Sequence, residues 1–195
     1  LGSAVRVDAH QFPRLHGIFT EAALALDVET LPELYVVANP FLNAQTLGLD
    51  KPVIVVNSAV LDTFDDDELR FVLGHELGHV GSGHAVYRTI LLILTSLSTT
   101  LLSIPLSALG LRAIMAALSE WSRKAELSGD RAGLLACQDP DAALRVHMKF
   151  ASGGHASQLN VESFLEQAAD YHESEDIRDI ILRALIVETM SHPFA

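Results

Sequence analysis

An α+β fold, mostly helical and opened by a small N-terminal sheet, follows from three observations. Strand-like runs are confined to the first 57 residues, where Leu34 to Ala38 and Val53-Ile54-Val55-Val56 are rich in β-branched and aromatic side chains. Everything after residue 58 carries helical rather than alternating periodicity. A few strands followed by many helices is the α+β order, not the alternation of a parallel sheet. With 195 residues the chain fits a single domain, 1–195, long enough to bury a substantial core.

Each element has a local reason. Pro13 opens a helix to about Asp27, with Leu15, Ile18, Phe19, Ala22 and Ala23 at helical spacing. Asn43 to Leu47 reads as a third, more polar strand ended by the turn signal at Gly48. Asp65 followed three residues later by Glu68 is a capping-box pattern, and the helix it heads runs to about Val80, where Gly81-Ser82-Gly83 can end it. An apolar tract covers Ile90 to Leu118, a further helix Glu120 to Cys137, and another Pro140 to Phe150. Ser152-Gly153-Gly154 is a loop, with helices expected near Ser157–Ala169 and Ile177–Met190.

Composition narrows the partners. Acidic residues outnumber basic ones by 25 to 13, for a formal charge of -12, and no basic stripe is present. Such a surface repels a phosphate backbone and excludes nucleic acid as a partner. Hydrophobic residues make up 49% of the chain and mean hydropathy is +0.29, high for a soluble protein and a hint of membrane contact. The single Cys137 rules out an internal disulfide and suits a reducing compartment. Leu1-Gly2-Ser3 carries no signal-peptide pattern and reads as a cut point.

The chemistry lies in His75-Glu76-Leu77-Gly78-His79, an HExxH pattern. Within a helix, residues four apart lie one turn apart on the same face, so both imidazoles can reach one metal ion. Leu69, Val72, Leu73, Leu77 and Val80 form an apolar stripe that packs against the core, leaving the histidines to line a cleft beside it. Catalytic zinc usually takes three protein ligands and keeps one position for water. Glu126 is the expected third ligand. It lies on the helix Ala125-Glu126-Leu127-Ser128-Gly129-Asp130, and Asp130, one turn later, can accept the free ring N–H of a ligating histidine. Glu120 competes for the ligand role but has no such partner four residues on. Glu76 points about 100° away from its ligand neighbour around the helix, off the ion but within reach of a water that the ion acidifies. As a general base it would take that water's proton and pass it to the departing amine, hydrolysis without a covalent intermediate. His84 falls after the glycines and off the ligand face, and His147 and His155 have no partner pattern, so all three read as structural or surface residues.

The HELGH helix, the later ELSGD helix, Asn43-Ala44 ahead of the strand Val53–Val56, and Ser191-His192-Pro193 together resemble metallopeptidase family 48. This is the group of HtpX-like membrane proteases and CAAX prenyl endopeptidases, and the likeness runs from about Phe12 to Pro193. The resemblance implies a gluzincin fold, with a small sheet over the motif helix and Glu126 as third zinc ligand. It also implies an extended polypeptide substrate paired along the strand at Asn43, Ala44 and Gln45, and an oxyanion-stabilising role for His192. The family pattern usually has Asn-Ala-Phe where this chain has Asn43-Ala44-Gln45, and an arginine a few residues past the His-Pro pair, beyond Ala195.

Thr89 to Leu111 holds no charged residue and is long enough to cross a bilayer. One crossing would put His79 and Glu126 on opposite faces and forbid the metal site. The expected geometry is therefore an apolar helical hairpin over about 88–118, broken near Pro105 and set between the two metal-binding helices, where it contacts a membrane or is buried against protein. The chain as a whole reads as a zinc-dependent endopeptidase for unfolded or membrane-associated polypeptides, membrane-associated with its catalytic residues on the cytoplasmic side. The alternative is a noncatalytic adaptor or holdase that keeps a structural zinc site.

Overall fold

The structure is a computed structural model that describes residues 2–101 and 105–173, with the backbone alone for 95–101, 105–113, 115–116, 119 and 170–173. The expected helix Ile177–Met190 and His192 lie outside the described residues. The element order is β1 (Ala4–Arg6), α1 (Pro13–Ala25), β2 (Glu33–Val37), β3 (Ala44–Leu47), β4 (Val53–Asn57), α2 (Ser58–Thr63), α3 (Asp66–Gly81), α4 (His84–Leu101), α5 (Pro105–Cys137), α6 (Pro140–Ser152), a 3₁₀ turn at Ala156–Gln158, and α7 (Val161–Glu173).

The strands form one sheet in the order β1-β2-β4-β3. β2 and β4 run parallel, while β1 and β3 each pair antiparallel with their single neighbour. The register aligns Val36 with Val56 and Ala44 with Val56, and Leu34 and Thr46 with Ile54. All six of these side chains are buried, so they make up the inner face of the sheet. β1 was not expected from the sequence. It is three residues long and largely exposed, so it has no alternation to read and exists only through its pairing with β2.

Helix α3 is the centre of the molecule. Its side chains Leu69, Val72, Leu73 and Leu77 pack with Leu15, Ile18, Phe19 and Ala22 of α1 and with the inner face of the sheet. The capping box is formed: Glu68 N–H donates to Asp65 Oδ1 and Asp65 N–H donates to Glu68 Oε2, each at 2.9 Å. The expected cleft beside the apolar stripe is covered, because α5 packs along the other side of α3 in the most extensive helix–helix contact of the fold. Small residues allow that approach. A Cβ on Gly78 would stand 2.6 Å from the Ala132 Cβ, and one on Gly74 2.5 Å from the Ala136 Cβ. Any larger residue at these positions would push α5, and Glu126 with it, away from the motif helix.

Two helix boundaries differ from the expectation. α5 begins at Pro105 instead of Glu120, since a proline at the first helical position is well tolerated and no other proline follows before Pro140. α7 begins at Val161 instead of Ser157, because Asn160 supplies the cap: Ser163 N–H donates to its Oδ1 at 3.0 Å. α4 contacts α5, and its start is tied to the end of β3, where Gly48 N–H donates to Thr89 Oγ1 at 3.0 Å. Among the described residues, no helix is long and apolar enough to cross a membrane.

Candidate metal centre

His75 and His79 face the same side of α3, one turn apart, and their Nε2 atoms stand 3.0 Å from each other. Glu126 of α5 closes the group, with Oε2 at 3.4 Å from His75 Nε2 and Oε1 at 3.4 Å from His79 Nε2. All three side chains are buried, and together they are the only set among the described residues that could hold a metal ion. The spacing can be tested against coordination geometry. Around a tetrahedral cation with bonds of about 2.05 Å, neighbouring ligand atoms stand about 3.3 Å apart. The 3.0 Å between the two Nε2 atoms is close to one such edge, each carboxylate oxygen of Glu126 stands 3.4 Å from one of the imidazoles, and one ligand atom of each residue lies within 4.8 Å of the others. Two imidazoles and one carboxylate are a borderline-soft donor set, and the residues fit the ion.

The outward nitrogens are held as well. His75 Nδ1 lies 2.9 Å from Asp130 Oδ1, one turn beyond Glu126 on α5. That contact fixes the ring and leaves Nε2 as the inward nitrogen. His79 Nδ1 lies 3.1 Å from His84 Nδ1. His84, read from the sequence as lying off the ligand face, is therefore brought back to it by the turn at Gly83 and by the start of α4. Its ring also stands edge-on to Trp121 of α5, 5.0 Å between centroids. His147 lies behind Asp130, at 3.9 Å, with its ring edge-on to Phe71. The Glu120 alternative is not realised, since that side chain is exposed and paired with Arg123 and Lys124 on its own helix.

The electrostatics follow from burial and from the carboxylates. Burial pushes the His75 imidazole down, but hydrogen bonds to Asp130 and Glu126 and the charge of Glu76 outweigh it and raise it to about 10. His79 is lowered, because burial outweighs the pull of Glu126 and Glu76, and the positive charges of His75 and Arg88 act in the same direction as burial. Arg88 of α4 places Nη1 3.4 Å from Glu126 Oε1, so a buried cation flanks the carboxylate.

Glu76 is 1% exposed, on the turn between the two histidines and directed toward the sheet. Thr46 of β3 donates its hydroxyl to Glu76 Oε2 at 2.6 Å and lies 3.1 Å from the Glu76 carbonyl oxygen. Of the residues expected to meet substrate, Asn43 precedes β3 and accepts a backbone hydrogen bond from Asn57 N–H at 2.9 Å. Ala44 is buried, and Gln45 is half-buried on the opposite face of the strand from Thr46. Three members of this neighbourhood escaped the sequence reading. Thr46 carries a signal, a polar side chain on the face that Ala44 shares with buried valines and isoleucine. His84 carries only its distance from His79. Gly129 is a helix-interior glycine, and a Cβ there would stand 2.7 Å from His75 Cε1, so the imidazole occupies the space a side chain would need.

Comparison with known proteins bears on this constellation. The model of Peptidase family M48 matches residues 9–195. A plastoglobule-localized metallopeptidase 48, chloroplastic, of Arabidopsis thaliana is 39% identical over 198 residues, covering 99% of this chain and 57% of its own length. A protease HtpX homolog of Helicobacter acinonychis is 32% identical over 69 residues, 34% of this chain and 22% of its own. One from Caldanaerobacter subterraneus is 33% identical over 96 residues, 48% of this chain and 32% of its own. No solved structure gives a significant match. The chain spans little more than half the length of the Arabidopsis relative and a smaller part of the HtpX homologs. A match that takes in both motif helices and nearly every residue leads to one assignment: the chain belongs to peptidase family M48.

Proposed function

We propose that this chain is the catalytic part of a zinc-dependent endopeptidase, with His75, His79 and Glu126 as the zinc ligands and Glu76 as the general base. The observation that carries the reading is the convergence of three buried donors, one ligand atom of each within 4.8 Å of the others, with a carboxylate between the two histidines on the same helix. Bound zinc supplies a Lewis acid that acidifies water and polarises a carbonyl. Glu76 takes the proton of the attacking water and delivers it to the departing amine. Asp130 holds the His75 ring in the tautomer that presents Nε2 inward. A polypeptide lies extended along Asn43, Ala44 and Gln45, adding a strand to the sheet at β3, which is a terminal strand in the strand order. His192 stabilises the oxyanion.

The substrate class we propose is unfolded or membrane-associated polypeptide. Tyr87, Ile90, Leu92 and Ile93 of α4 are exposed, which supports contact of the 88–118 hairpin with a membrane surface, the catalytic residues staying on the cytoplasmic side.

Casein digestion by the zinc-loaded chain, with and without a chelator and beside Glu76→Gln, tests the mechanism. Chelation should abolish cleavage. The variant should keep one zinc per chain while losing about 10²–10⁴-fold in rate, the scale of general acid–base catalysis. A zinc-loaded Glu76→Gln chain that cleaves as fast as the parent would rule the mechanism out. A parent that binds zinc and cleaves nothing would favour the noncatalytic adaptor.

A further inference from the structure

We propose that Thr46 is a positioning residue: its hydroxyl fixes the carboxylate of Glu76 against strand β3. The base is thereby tied to the strand along which a polypeptide would lie. This inference rests on the reading of Glu76 given above.

The geometry is unusual for a threonine on the buried face of a sheet. Thr46 is 0% exposed and Glu76 1%. A buried hydroxyl must find an acceptor, and any backbone carbonyl would satisfy it. The carbonyl oxygen of Glu76 is within reach at 3.1 Å, yet the shorter contact, 2.6 Å, goes to Oε2 of the same residue. That length is typical of a hydroxyl donating to an ionised carboxylate. With a single proton to donate, the hydroxyl bonds the side chain and keeps the main chain beside it. One atom of the strand thus holds the carboxylate while lying against the main chain of the same residue.

The consequence concerns freedom of movement. A glutamate has three rotatable side-chain bonds, and an unanchored one samples several positions for its carboxylate. Anchoring Oε2 removes most of that sampling, and a general base acts only from a narrow range of positions. The anchor is also specific in register. Thr46 pairs with Ile54 in the sheet, and a one-residue slip of β3 would place Gln45 or Leu47 opposite Glu76. Docking of a substrate strand on β3 and placement of the base are therefore linked through one hydroxyl.

Thr46→Val keeps the shape and removes the hydroxyl, and Thr46→Ser keeps the hydroxyl and removes a methyl. Kinetics on a fluorogenic peptide, zinc stoichiometry, and crystal structures of parent and both variants form the test. For Thr46→Val, kcat should fall about 10–100-fold with KM within about twofold and one zinc retained, the scale seen when a group supporting a site is removed. The Glu76 carboxylate should leave its parent position. Thr46→Ser should restore both the rate and the position. A Thr46→Val chain that holds Glu76 in the parent rotamer overturns the proposal, as does a serine variant no better than the valine one. If the zinc-loaded parent hydrolyses nothing, the endopeptidase reading fails, and the rotamer comparison still decides what Thr46 holds.

Discussion

Helix α3 carries two buried glutamates about two turns apart, and they differ in what surrounds them. Glu68, at the first turn, accepts from Asp65 N–H, from Lys149 Nζ at 2.6 Å and from Arg145 Nε at 3.2 Å. Its negative charge is met by two cations from α6 and by the cap of its own helix. Glu76, further along, meets a threonine hydroxyl and lies close enough to His75 and His79 to bias both imidazoles toward the charged form. The first arrangement neutralises a carboxylate and joins α3 to α6. The second bonds a carboxylate to the sheet and leaves its charge acting on nearby imidazoles. The same residue type on one helix thus fastens the fold at one end and, in the function proposed above, transfers a proton at the other.

The largest effect expected outside Glu76 itself comes from disarming the structural end. Glu68→Ala leaves the Lys149 and Arg145 cations without their carboxylate and breaks the capping box. Removing one partner of a buried ion pair costs about 3 kcal/mol, a factor of more than about a hundred in the folded-to-unfolded ratio. Urea denaturation should show that loss, while the folded fraction still binds one zinc. Loss of zinc at unchanged stability would erase the distinction between the two ends of the helix.

A second substitution sharpens the functional end. Asp130→Asn keeps the shape of the group behind His75 but removes its charge. Groups that orient a metal-bound histidine typically contribute 10–100-fold to metal affinity. Competition with a chromogenic chelator should show a loss of that size, and the metal-free chain should also lose stability near neutral pH, because Asp130 helps to raise His75. Parent-like zinc affinity would mean that contacts other than Asp130 suffice to hold the His75 ring.

What could be read from the sequence was the local part. A helix bounded by Asp65 and Gly81 follows from its cap and its glycines, and periodicity then puts His75 and His79 on one face. The same periodicity, applied to Glu126 and Asp130, makes them a pair one turn apart. Of the contacts that join distant segments, the one expected between Asp130 and a ligating histidine is found at His75, 55 positions away, whereas that of Thr46 with Glu76, across 30 positions, was hidden. Their existence depends on how β3 and α5 dock, which no pattern within either element encodes. The position of His84 differs from the expectation for a related reason, although its role stays structural. Helical geometry places it off the ligand face only if α3 continues, and a left-handed Gly83 redirects the chain into α4. Burial of the site also escaped the reading, since the glycines that let α5 press onto α3 look like weak points in a helix until their neighbours are known.

The smallest effect, a slope, tests the charge state of the functional end. In the metal-free chain His75 is raised to about 10 while His79 is lowered, so one proton resides on the pair at neutral pH, on His75. A metal ligand must be deprotonated, and an incoming ion has to displace that proton. Apparent zinc affinity should therefore rise about tenfold per pH unit between pH 7 and 9. An imidazole at its ordinary value of 6.5 would be neutral over that window and give no slope. The sign for stability is opposite: a folded-state value above the unfolded one contributes stability in full below pH 6.5 and loses it as pH rises through about 10. Metal-free protein should thus weaken over the pH range in which zinc binds more tightly. Asp130→Asn removes the larger of the two hydrogen bonds that raise His75, so it should flatten both trends together. A slope that survives the substitution would assign the proton to a group other than His75.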